Sequence, residues 1–168
     1  DLGSRFAPNF MALSIPDIFI TDNMAIDISL DNYDVTSGLQ FDVQYPSQYE
    51  PFDGNISVSE RATGVTVTTR QIDEHTLRCF CYSLTGGSIS AGTGKVMTLS
   101  LKPVGGIAPA GKYNISVNNV KLGTSELADK YAGTNLQTSF NVLETLIENE
   151  NYSLNLVTGN LRIIGTGD

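Results

Sequence analysis

The stretch Gly38-Leu39-Gln40-Phe41-Asp42-Val43-Gln44-Tyr45-Pro46 alternates Leu39, Phe41, Val43 and Tyr45 with Gln40, Asp42 and Gln44. A period of two belongs to a strand with one face in a core and the other in water. Gly38 and Pro46 bracket the run, because each disfavours continuing a regular element. The outer set of amides and a carboxylate suits a surface that meets a partner better than the floor of a reaction pocket.

The rest of the chain carries the same β signature. Its 168 residues suffice for one domain with a proper core, and Trp is absent. Thr, Ser, Val, Ile, Asn and Gly dominate; β-branched side chains fit pleated surfaces, while Gly and Asn supply turns. Asp and Glu number 18 against 10 Lys and Arg, a net charge of -8 with no basic cluster. That balance excludes nucleic acid as partner, since binding it depends on neutralising phosphates. No apolar run reaches membrane-spanning length. Asp1-Leu2-Gly3-Ser4 carries no initiator Met, basic n-region or apolar h-region, which fits a cleaved signal or a start inside a longer exported protein.

Cys79 and Cys81 lie two apart in a strand-like run with Leu77, so both thiols share one face. A disulfide along one extended strand would be strained, and buried small hydrophobes are the expected role. The only histidine, His75, follows Asp73-Glu74 and reads as a turn residue. No metal site or cofactor is expected.

Further along, residues 10–20 are apolar but broken by Pro16, giving an edge strand or two short segments. Met24, Ile26, Ile28 and Leu30 define an inward face, as do Tyr113, Ile115 and Val117. Residues 64–70 and 77–84 form a predicted hairpin around Asp73-Glu74. The glycine-rich stretches at 85–94 and 105–111 lack the Gly-Lys-Ser/Thr of a phosphate loop and connect strands. Residues 125–132 are the one credible helix, with Thr124 as N-cap and Gly133 after it. The sum is an all-β chain: an antiparallel β-sandwich of eight or nine strands with one short helix.

The order of these strands over residues 13–143 resembles the cohesin modules of bacterial cellulosomes and related surface proteins. The resemblance rests on the Ile26-to-Leu30 alternation, the Gly38-to-Pro46 run, the strand around Cys79 and Cys81, and Gly94-Lys95-Val96-Met97-Thr98-Leu99-Ser100-Leu101-Lys102. It implies jelly-roll topology with about nine strands, and a non-catalytic role in a secreted or cell-surface protein. Cohesins bind dockerins, small calcium-loaded helical modules, on a flat sheet face. Carried onto this chain by alternation, that face comprises Gln40, Asp42, Gln44, Arg70, Arg78, Phe80 and Tyr82, joined by Thr66, Thr68, Asn114, Ser116 and Asn118.

Residues 1–143 are thus expected to be the sandwich and the acidic 144–151 a linker. Residues 152–168 read as a hairpin turning at Thr158-Gly159-Asn160. Gly159-Asn160-Leu161-Arg162-Ile163-Ile164-Gly165-Thr166-Gly167-Asp168 resembles the opening of BspA-like leucine-rich-repeat domains, which implies a further domain; the alternative is an extra hairpin of the sandwich.

Catalysis is not expected. Asp73, Glu74, Glu144, Glu148 and Glu150 fall in loop or linker text and not across a cleft, and no nucleophile elbow occurs. The alternatives to a protein partner are a polysaccharide bound by Phe80, Tyr82, Tyr33, Tyr49 or Tyr131, and a spacer role in an adhesin-like protein.

Overall fold

The computed structural model describes residues 10–32, 35–122 and 136–144, together with short strands at 146–148, 153–155 and 163–164. In chain order the first strands are β1 (Phe10–Ser14), β2 (Ile18–Phe19), β3 (Met24–Asp31), β4 (Gly38–Gln44), β5 (Tyr49–Glu50) and β6 (Ile56–Val58). They are followed by β7 (Thr66–Asp73), β8 (Thr76–Tyr82), β9 (Lys95–Pro103), β10 (Gly111–Leu122) and β11 (Leu136–Leu143). The short β12 (Leu146–Glu148), β13 (Ser153–Asn155) and β14 (Ile163–Ile164) come last.

Two sheets form the sandwich. The first runs β1-β3-β9-β5, with β6 also paired to β9; the second runs β2-β11-β10-β4-β8-β7. All pairings are antiparallel except β11 with β2. Alternation works as expected: Met24, Ile26, Ile28 and Leu30 from one sheet and Leu39, Phe41, Val43, Ile115 and Val117 from the other are buried. Tyr49 and Phe140 join Tyr113 in an edge-and-stack aromatic cluster at one end of this core. The apolar N-terminal segment is two strands, and Pro16 separates a piece in one sheet from a piece in the other. The expected count of about nine strands rises to eleven in these two sheets among the described residues. The surplus comes from β5 and from the division of residues 10–20 into β1 and β2, since two-residue pieces are too short for alternation to register.

Cys79 and Cys81 face inward as free thiols, 0% and 2% exposed. Burial pushes the Cys79 thiol up to about 12 and the Cys81 thiol up to about 11. Because the thiolate is the reacting species, both should resist labelling in the native protein and react at once in denaturant. Titration with a thiol reagent checks this; two fast native thiols would place the pair outside the core.

The glycine-rich 85–94 segment is better anchored than its composition implies. Ile89 is fully buried and bridges Thr36, while Gly92 bridges Asn32. Arg61 reaches across to it: Nη1 donates to the carbonyls of Leu30 (2.6 Å) and Gly94 (2.7 Å), and Nη2 to that of Ser90 (2.8 Å) and to Asn32 Oδ1. One guanidinium thereby ties together β3, the segment after it and the glycine-rich loop. At Gly87 any Cβ would collide with the Gly64 carbonyl, so the start of β7 can pass this loop closely only with glycine there.

The helix expected at 125–132 and the turn at 158–160 lie outside the described residues. The segment expected as linker, 144–151, contains β12, which pairs with β13, and β13 pairs with β14. The expected hairpin is therefore part of a three-stranded sheet, separate in its hydrogen bonding from the two sheets of the sandwich.

Candidate partner-binding face

Strand order brings the predicted site residues onto one surface, the outer face of β7, β8, β4 and β10. Register aligns them in cross-strand rows. Thr68, Phe80, Gln40 and Lys121 form one row, and Arg70, Arg78, Asp42 and Asn118 the next. Gln44 pairs with Ser116, whose Oγ donates to Gln44 Oε1 at 3.1 Å.

At the centre the expectation of an open carboxylate fails. Asp42 is only 1% exposed although it points away from the core. Arg78 lies opposite it and grips it twice, Nε to Oδ1 at 2.7 Å and Nη2 to Oδ2 at 3.0 Å. Asn119 Nδ2 donates to Oδ2 at 2.9 Å. Asp42 is therefore covered and committed to partners within the chain, and Arg78 spends much of its hydrogen-bonding capacity inside the protein. The Arg78 hydrogen bonds outweigh burial and hold the Asp42 carboxyl below its usual value.

Asn119 was not among the predicted residues. It sits at a β-bulge, where β10 slips register between Asn118 and Lys121, with a left-handed φ of 54°. The sequence holds the signal: inward residues change phase from Ile115 and Val117 to Val120 and Leu122. One extra residue must lie between, and Asn is among the few side chains that tolerate such a φ. The slip also turns Lys121 to the outer face.

Two depressions flank the locked pair. One, of about 450 Å³, is polar in its outer lining, with Gln44, Asn114, Ser116, Gln137 and His75. The other, of about 400 Å³, is lined by Phe80, Tyr82, Gln40 and Lys121. Phe80 is half-buried there and Tyr82 37% exposed, so the aromatic pair is less open than alternation alone implies. Arg70 is exposed on the neighbouring strand.

Among the described residues no three His, Cys, Asp or Glu side chains gather as metal ligands. Asp42 is committed to its ion pair, and the thiols are buried and protonated at neutral pH. Among the described residues, no helix is long and apolar enough to cross a membrane.

No protein-family model matches the sequence, and no curated protein matches it. Solved structures do match. A non-cellulosomal cohesin from the archaeon Archaeoglobus fulgidus aligns over 82% of this chain and 93% of its own, with TM-score 0.59 and 9% identity. The fold is cohesin-like. The sixth cohesin of scaffoldin B from Acetivibrio cellulolyticus, solved in complex with a Cel5 dockerin, aligns over 79% of this chain and 98% of its own, with TM-score 0.57 and 17% identity. A type I cohesin–dockerin complex from Clostridium thermocellum gives a match over 80% and 95%, with TM-score 0.56 and 10% identity. These cohesin matches give the tail's resemblance to leucine-rich repeats no support.

Proposed function

We propose that this cohesin-like sandwich is a non-catalytic recognition module of an exported bacterial surface protein. It binds a protein module through the outer face of β4, β7, β8 and β10. The observation that carries this reading is the aromatic end of the face, where Phe80 and Tyr82 flank a shallow groove beside Lys121 and Arg70 follows on the next strand. Interfaces concentrate binding energy in aromatic and Arg anchors, and a central pair already locked to itself needs no reordering on docking. Two cohesin structures that it resembles were solved with dockerins, which supports a helical module as the class of partner.

A second reading is favoured by the other depression. Its amides, hydroxyl and imidazole offer the donors and acceptors that sugar hydroxyls need, so a polysaccharide is the alternative ligand. A pull-down from a native surface fraction, run beside a glycan array, separates the two. Capture of one saturable protein partner with an empty array is the expected result; a saturable glycan signal without protein capture would overturn it.

The sheet of β12 to β14 belongs, on this proposal, to a unit beyond the sandwich. A chain ending at Leu143 should then melt within about 2 °C of the full chain, whereas a loss of several degrees would make the tail part of the sandwich.

A further inference from the structure

We infer that the partner presents an acidic surface, in which an apolar side chain enters the Phe80–Tyr82 groove while carboxylates meet Arg70 and Lys121. The inference rests on the outer face being the recognition surface and adds the chemistry of what it recognises.

The outer face inverts the charge of the chain. The chain as a whole carries -8. Among the described residues of β4, β7, β8 and β10, the outer face presents Arg70, Arg78, Lys112 and Lys121 against two carboxylates, Asp42 at its centre and Asp73 at the end of β7 opposite Thr76. Arg78 and Asp42 neutralise one another at 2.7 Å. Lys112 stands opposite Asn141, whose backbone N–H donates to Asp17 Oδ1 at 2.8 Å. Arg70 and Lys121 remain exposed, with no ion pair among the described residues.

Arg70 lies directly across from Arg78, whose guanidinium already holds Asp42, so the carboxylate of that row is taken. Its neighbours at 66, 68 and 69 in the same strand are Thr, which suits an exposed strand position without bringing a charge. Lys121 lines the groove with Phe80 and Tyr82, so a cation and an apolar slot adjoin. A partner surface with one apolar side chain flanked by carboxylates satisfies all of these at once. Extended polyanions fit poorly: among the described residues of this face the unpaired cations are Arg70, Lys121 and, at the opposite end of β10, Lys112, and the net negative chain repels a long negative polymer.

The test uses two synthetic helical peptides of about 15 residues that share one Leu-bearing face. One carries Glu beside that face and the other Lys. Each is titrated into the full-length ¹⁵N-labelled protein while amide shifts are followed. The Glu peptide should move the amides of Gln40, Arg70, Tyr82 and Lys121. Its affinity should fall about tenfold between roughly 50 and 500 mM salt, as screening shortens the reach of the charges. The R70E/K121E variant should lose the Glu peptide and acquire the Lys peptide, while R70Q/K121Q should bind both weakly and serves if the reversal disturbs folding. Equal movement of this face by both peptides would leave the recognition face standing and overturn the charge assignment. Movement elsewhere, or none with either peptide, would overturn the inference and weaken the face reading with it. Tighter binding of a sulfated polysaccharide at the same amides would also overturn it.

Discussion

Replacing Arg78 with Ala should cost the fold about 2–4 kcal/mol, because it strands a carboxylate that has almost no access to water. Asp42 would retain only its 2.9 Å bond from Asn119. The cost stays below that of a fully buried pair, since the Arg78 side chain is itself 27% exposed. Urea unfolding measures it, and the companion D42N/R78Q variant should recover much of the loss by removing both charges together. A cost under about 0.5 kcal/mol for R78A would mean that the pair behaves like an ordinary surface bridge. The wild-type pH profile follows from the lowered Asp42 value. The unfolded chain binds a proton there at higher pH than the folded chain, so the pair contributes fully above the unfolded carboxylate value of about 4. That contribution is lost as pH falls through the folded value, and R78A should lack this part of the acid limb.

The second large effect concerns binding. Replacing both Phe80 and Tyr82 with Ala should weaken the captured partner at least about 100-fold, equivalent to roughly 3 kcal/mol. Tyr82 alone should cost little stability, being 37% exposed. Phe80 is half-buried, so its truncation should cost about 1–2 kcal/mol, and binding must be measured where the variant remains folded. Unchanged affinity in a folded double variant would move recognition away from this end of the face.

Much of the architecture was legible because alternation is a strong signal wherever strands are long. Residues 24–31, 38–44, 76–82 and 111–117 announce their faces, and Cys79 and Cys81 followed Leu77 inward. The strands expected to share a face do lie in one sheet. What alternation cannot supply is the identity of cross-strand neighbours. Asp42 points outward as its parity requires, yet Arg78 and Asn119, 36 and 77 residues away in sequence, cover it. Arg61 was invisible for the same reason, since its acceptors on Leu30, Asn32, Ser90 and Gly94 are about 30 residues distant on either side and most are backbone carbonyls. Ile89 hid in a run of Gly and Ser whose composition reads as plain loop. The bulge at Asn119 was legible in principle, through the phase change between Val117 and Val120.

The central claim is that recognition occurs on the outer face of the six-stranded sheet. Cross-saturation NMR on the complex with the captured partner tests it most directly. The account predicts signal loss concentrated at Gln40, Thr68, Arg70, Phe80, Tyr82 and Lys121. Loss concentrated instead at Asp27, Ser29 and Thr98 on the opposite sheet, or in the 85–94 loop, would contradict it.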